Sequence, residues 1–392
     1  MRRRTFLLAA TALSMAVSGA AFAQDKKEVK IGLLNTFSGP PAAIGVDQKN
    51  GWDLALEHLG GKLGGLTPNV LVGDDQTKPD VGLSIVDKWI NQDKINFIVG
   101  PIWSNVLLAI KDTAFKAGVI IINSNAGATP MSAEQCNPMH FSTSWNNETW
   151  SEMAGEMANA DGIKTAFLLA PNYQAGKDIA SGFKRTYKGK FVGEIYFKLN
   201  NTDYQAEFAE VRSKKPDAIF VFAPGGMGVS LFKQWASTGL SKDIKLYSVA
   251  SVDYVTLGGM GQGAVGTYFP APFDADGKLP VNAKFVADFV AKYKKRPSYF
   301  AAQAYDAGLL LNYGIGAVKG DLTKTKDMIL AMRGAKFEWS RGNVTFNTNQ
   351  IPIQNWYKQT VVLKDGKPDI RTEGLIATAR KDVYASKCKM PY

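Results

Sequence analysis

The sequence predicts two doubly wound α/β units, each built on an open, mostly parallel sheet. Three observations carry this. Short β-branched runs alternate with amphipathic stretches, and near-continuous apolar strands set between helices belong to sheets buried on both faces. The pattern restarts at about residue 148. A chain of 392 residues also exceeds what a single core organises.

In the first unit, residues 29–34, 70–72, 97–99 and 119–122 read as strands. Helical stretches over 42–59, 80–91 and 105–117 separate them, the second placing Val81, Ile85, Trp89 and Ile90 on one face. The second unit pairs helices over 148–160, 175–187, 204–214 and 227–238 with strands at 166–169, 191–197, 218–222 and 246–249. Helices follow over 281–294, 299–317 and 324–333. Strand-like residues 344–346 and 361–363 close the chain, the latter in a hairpin around Asp365-Gly366. No Gly/Ser linker separates the units, so the chain is expected to cross between them near residues 142–145, 269–273 and 346–352. Lobe one then comprises residues 24–143 and 272–348, and lobe two 144–271 and 349–392.

Residues 1–23 have the layout of a secretory signal. Arg2, Arg3 and Arg4 precede an apolar stretch, and Ala21-Phe22-Ala23 supplies the small-residue site, with cleavage expected after Ala23. The apolar run is shorter than the roughly 20 residues that a membrane span needs. Arg3-Arg4 also fits a twin-arginine signal, leaving both export routes open. The mature chain is thus expected in the periplasm. Loss of the three leader arginines lowers the formal charge from +11 to +8. Lysines are scattered, and the patches at 292–296 and 387–389 are too short for a nucleic-acid arm, so no nucleic-acid partner is expected. A modest positive field favours anionic solutes. Cys136 and Cys388, an even count in an oxidising compartment, are expected to pair.

Ligands of open α/β sheets sit at the carboxyl ends of the strands, where helix N-termini present N–H groups to anions. Polar turns at 34–40 (with Phe37), 100–105 and 123–130 occupy such places in unit one, and those at 171–174 and 224–227 in unit two. Ser104 or Asn105 is expected to cap the helix that follows. Signals for catalysis are weak. His58 lies on a helix and His140 in a loop, with no zinc-type cluster, P-loop or nucleophile elbow. Residues 261–266 match G-x-G-x-x-G but precede a strand-like segment and not a helix, so they read as a loop. No cofactor is expected.

An ordered series of motifs resembles the periplasmic binding proteins of the Leu/Ile/Val type. It runs through residues 31–45 (IGLLNTFSGPPAAIG), Asp74-Asp75 with Pro79, 98–104 (IVGPIWS), 123–130 (NSNAGATP) and 141–145. Tyr173 with Gly176 and residues 222–227 (FAPGGM) continue it, so it covers nearly the whole mature chain. The resemblance implies a type I, Venus-flytrap fold with three hinge crossings, a monomer serving the membrane permease of an ABC importer. It implies a ligand carboxylate held by the Ser104 hydroxyl and neighbouring backbone, beside Trp103 and Asn105, with backbone contacts from Ala126, Gly127 and Ala128. Tyr173 and Met227 would close over the ligand from lobe two.

Two departures from the amino-acid binders stand out. Ala128 occupies a position where those proteins offer a hydroxyl, and the loop after residues 246–249 offers only Asp253 to neutralise an ammonium. An unpaired buried ammonium is costly. Trp103, Trp145, Tyr173, Met227 and Tyr254 supply flat apolar surface beside the cleft turns. The ligand is therefore expected to be an aromatic carboxylate of benzoate or cinnamate type. The alternatives are a branched-chain amino acid in the same kind of protein, a sensory ligand-binding protein of this fold, and an exported α/β enzyme.

Overall fold

The computed structural model describes residues 28–391, so the leader expected at 1–23 lies outside the described residues. The first sheet is built from β1 (Glu28–Asn35), β2 (Thr67–Asp74), β3 (Phe97–Val99), β4 (Ile120–Asn123) and β5 (His140–Ser142). Its helices are α1 (Ala42–His58), α2 (Pro79–Lys88), α3 (Ser104–Lys116) and the single turn α4 (Thr129–Ser132). The strands run parallel in the order β2-β1-β3-β4-β5, with Ile31 beside both Val70 and Phe97. Val29, Ile31 and Leu33 are buried on one face while Leu34 packs on the other. Burial on both faces explains why this sheet reads as continuous apolar runs.

The chain then passes to a second sheet. α5 (Asn147–Ala160), β6 (Thr165–Pro171), α6 (Gln174–Thr186), β7 (Lys190–Phe197), α7 (Gln205–Lys214), β8 (Ala218–Phe222), α8 (Gly226–Thr238), β9 (Lys245–Val249), α9 (Leu257–Met260) and β10 (Tyr268–Ala271) follow in order. The strand order β7-β6-β8-β9-β10 repeats that of the first sheet. The chain returns through α10 (Pro280–Tyr293), α11 (Tyr299–Ala317) and α12 (Thr325–Arg333). From these, Ala304, Leu311 and Met328 pack on the first sheet with Ile31, Phe97 and Phe141. β11 (Thr345–Phe346), β12 (Pro352–Lys364) and β13 (Lys367–Arg380) complete the second sheet, β12 lying antiparallel to β10.

Most elements fall where the sequence places them. His140 is an exception, since it opens β5 instead of lying in a loop. Three residues show no alternation, so periodicity has nothing to register there. The helix over 80–91 ends at Lys88 and loosens into a wider π-turn at Trp89–Asp93. Residues 261–264 form a 3-10 turn before β10, and no helix follows them.

The segment between β5 and α5 leads from the first sheet to the second, and after β10 the chain returns to the helices of the first. Buried Arg341 ties the segment after β5 to α11 and β12. Its Nε donates to Asp306 of α11 at 2.8 Å. Its Nη atoms donate to the carbonyls of Thr143 (2.6 Å) and Ser144 (3.3 Å) and to Gln354 Oε1 of β12 (2.5 Å). Cys136 and Cys388 form the expected disulfide, 252 residues apart in sequence. A cross-link closing so long a loop restricts the unfolded chain, and its reduction is expected to cost about 2–4 kcal/mol. Thermal unfolding with and without reductant checks this.

Candidate ligand-binding site

In each sheet the helices change sides between the first and third strands. This switch point lies between β1 and β3 in one lobe and between β6 and β8 in the other. Crevices at such points open beyond the carboxyl ends of the strands. The turn after β3 carries Ile102, Trp103 and Ser104 over the first crevice. Its entry is Gly100, at φ +111°, where a Cβ would meet the Leu34 carbonyl oxygen at 2.0 Å. Trp103 is the N-cap of α3 and makes no side-chain cap, so Ser104 is the first helical residue and not the cap that the sequence suggests. Backbone N–H groups of this first turn have no intrahelical acceptor. From the opposite lobe, α6 begins after Tyr173, also without a side-chain cap. Two positive helix ends thus approach one space.

That space is a cavity lined by both lobes. Six aromatic side chains form much of its wall: Trp103, Trp145, Trp150, Tyr173, Phe222 and Phe300. Tyr173 stacks on Phe222 at 6.2 Å and 19°, and faces Trp103 across the lobe boundary at 5.9 Å. Trp145 and Trp150 meet edge to face at 4.1 Å. Hydrogen bonds fix two of these rings. Trp103 Nε1 donates to Thr36 Oγ1 at 2.7 Å, with the Thr36 hydroxyl in turn donating to Asp75. Trp150 Nε1 donates to the Pro270 carbonyl at 2.6 Å.

The polar lining comes from Ser104, Asn125 and Asn147, and among the described residues no charged side chain lines the cavity. Asn147 Nδ2 donates to Ser104 Oγ at 3.2 Å, leaving the serine proton free to donate elsewhere. Asn125 Nδ2 donates to the Ile102 carbonyl at 2.7 Å, while its buried Oδ1 has no partner. At Gly127 a Cβ would meet Asn147 Oδ1 at 2.5 Å and Trp145 Cδ1 at 2.6 Å, so only glycine keeps this wall in place. Neutral donors, helix N-termini and aromatic faces suit a flat molecule ending in a carboxylate.

Of the residues expected from the sequence, Trp103, Ser104, Gly127 and Tyr173 line the cavity. The others flank it. Asn105 turns towards Thr77, Ala126 and Ala128 are buried in the adjoining turn, and the Met227 sulfur accepts from Asn200 N at 3.2 Å. Phe37 is partly buried, its N–H on Asp74. Asp253 and Tyr254 line a separate cavity. Asp253 Oδ1 accepts from the backbone N–H of Val255 (2.6 Å) and Thr256 (2.9 Å), a local turn that faces it away from the main cavity. Its burial pushes its carboxyl up to about 7. Asn147, Trp150 and Phe300 are lining residues that sequence reasoning missed, while Asn125 and Phe222 belong to segments it marked without singling them out. A polar Asn146-Asn147 pair straight after the first crossing was the available signal for Asn147.

The profile of a family described as "Periplasmic binding protein" matches residues 28–367. The chain belongs to the periplasmic binding protein family. Its members are the solute-binding components of transporters and work outside the cytoplasm. This binding protein is 32% identical to an ABC-transporter solute-binding protein from R. palustris solved in complex with benzoate. The match has a TM-score of 0.88 and covers 92% of this chain and 99% of that one. A second solute-binding protein, from Rhodopseudomonas palustris BisB5 with 3,4-dihydroxybenzoic acid, is 29% identical at a TM-score of 0.86, over 91% and 99% of the two chains. A leucine-, isoleucine-, valine-, threonine- and alanine-binding protein of Pseudomonas aeruginosa is 26% identical over 91% of this chain and 98% of its own. The type I fold of two α/β lobes expected from the sequence is the one these proteins share.

Proposed function

We propose that this binding protein captures a single-ring aromatic carboxylate, of benzoate type, and delivers it to the membrane permease of an ABC importer. The observation that carries the reading is a cavity walled by six aromatic rings whose polar lining, among the described residues, is neutral. An amino acid would bring an ammonium with no carboxylate to meet it there, since Asp253 faces another space. An aromatic acid needs only what the cavity offers. Burying a ring of roughly 150 Å² contributes about 4 kcal/mol, and Ser104 with the first turn of α3 can hold the carboxylate. The benzoate and dihydroxybenzoate bound by the two R. palustris proteins support the same class.

In this proposal the leader is cleaved after Ala23, the mature protein acts as a periplasmic monomer, and the lobes divide at residues 143/144, 271/272 and 348/349. The lobes close on the ligand about the three crossings.

Thermal unfolding of refolded mature protein against benzoate, 4-hydroxybenzoate, cinnamate, leucine and valine tests it. A ligand at about 100 times its dissociation constant adds about 2.7 kcal/mol. Stabilisation by the aromatic acids alone is expected. Stabilisation by leucine or valine alone would replace this reading with branched-chain amino acid binding.

A further inference from the structure

Asp178 lies directly behind the polar end of the cavity, on α6 of lobe two. It is buried, and three neutral donors surround its carboxylate. Oδ2 accepts from the backbone N–H of Thr129, on the first lobe's side of the cleft, at 3.1 Å, and from Asn147 Nδ2 at 3.1 Å. Oδ1 accepts from Gln174 Nε2 at 2.8 Å. The amide that holds Asp178 is the same Asn147 Nδ2 that donates to Ser104 Oγ. The carboxylate therefore orients Asn147, and Asn147 in turn fixes which lone pair of Ser104 is occupied. With that acceptor site filled, the Ser104 hydroxyl has its proton free for an anion in the cavity.

We infer that Asp178 is a positioning residue that couples capture of an anionic ligand to partial uptake of a proton. The inference rests on the carboxylate reading given above. The charges that face Asp178 from neighbouring elements do not neutralise it. Glu148 on α5 adds negative charge, and the Tyr173 hydroxyl stands beside it. Arg185, two turns along α6, is engaged by Glu148 and Glu152, and Lys177 is exposed. The turn that carries Thr129 contributes only its N–H. Burial pushes the carboxyl up to about 6, with the three donors pulling against that rise. A ligand carboxylate at Ser104 places a second negative charge two hydrogen bonds away. Like charges at that range raise the proton affinity of Asp178 about tenfold. The sign follows directly: the protonated form of Asp178 binds the anion better, so affinity rises as pH falls through Asp178's own range.

Titration calorimetry of the mature protein with benzoate, from pH 7.5 to 5.5, tests this. A benzoic acid ionises at about 4, so the ligand stays anionic throughout. Binding is expected to tighten about fivefold across the window. Near pH 6, buffers of different ionisation enthalpy should report net proton uptake. Asp178→Asn is expected to abolish both the slope and the uptake, whatever it does to the affinity itself. Asp253, which also titrates near neutrality, would leave the slope in that variant. Should Asp178→Asn fail to fold, the proton count of the wild-type protein decides alone, and no uptake at pH 6 overturns the inference. Benzoate binding with a flat pH profile, or a slope surviving Asp178→Asn, overturns the coupling and leaves the carboxylate reading intact. Failure of every aromatic acid to bind overturns that reading, and the coupling with it.

Discussion

Replacing Arg341 by methionine is expected to lower stability by about 3–5 kcal/mol, the usual result of removing one partner from a buried ion pair. The size follows from what the change strands. Asp306 keeps its burial and loses the guanidinium that holds its charge, so its carboxyl, already pushed up by desolvation, rises further. The carbonyls of Thr143 and Ser144 and the amide of Gln354 lose donors in the same step. The Thr143 carbonyl and Gln354 Oε1 are then left without the guanidinium in a buried setting, while the Ser144 carbonyl keeps Gln354 Nε2 at 2.8 Å. Denaturant unfolding followed by circular dichroism checks the value, and a loss under 1 kcal/mol would mean that the segment after β5 holds to α11 and β12 without Arg341. Because Asp306 sits on α11 and Gln354 on β12, the variant is also expected to loosen the pivot and weaken ligand binding.

Ser104→Ala is expected to weaken benzoate binding about 10- to 150-fold, the equivalent of one hydrogen bond to a charged group at about 1.5–3 kcal/mol. The backbone N–H groups of the first turn of α3 remain, which sets the upper limit. The aromatic wall is untouched, so the loss should appear as faster release more than slower capture. Calorimetry of the variant measures it, and unchanged affinity would remove Ser104 from the carboxylate site. The same substitution leaves Asn147 Nδ2 without Ser104 Oγ but still on Asp178, so the fold should tolerate it.

How far the molecule is legible in its sequence depends on the range of the forces involved. β3 and β8 are apolar along their length, and β4 all but its last residue, because both faces are covered, and that burial is written into consecutive residues. Trp103 and Ser104 are legible because a strand end, a glycine and a helix start follow one another within six residues. Phe300 reaches the cavity from the start of α11, nearly two hundred residues beyond Ser104, and Asn147 from a crossing. No local pattern records such encounters. Asp253 shows the reverse case. Sequence places it after β9, at the mouth of the second crevice, but its carboxylate satisfies two N–H groups of its own turn, and that local bond decides where it faces.

Neither sheet is finished by the segment that begins it. The first sheet is covered by α11 and α12, which arrive only after the whole parallel part of the second has been made, and β12 reaches β10 across some ninety intervening residues. For a polypeptide that emerges amino end first, this order has a kinetic consequence. β1 to β5 can pair as soon as they appear, but the face bearing Ile31 and Phe97, covered early only in part by Trp52, Leu63 and Leu66, is not closed until residues near 304–328 follow. Contacts so distant along the chain form late, after loop-closure entropy has been overcome. A nascent chain therefore remains pliant until synthesis is nearly complete.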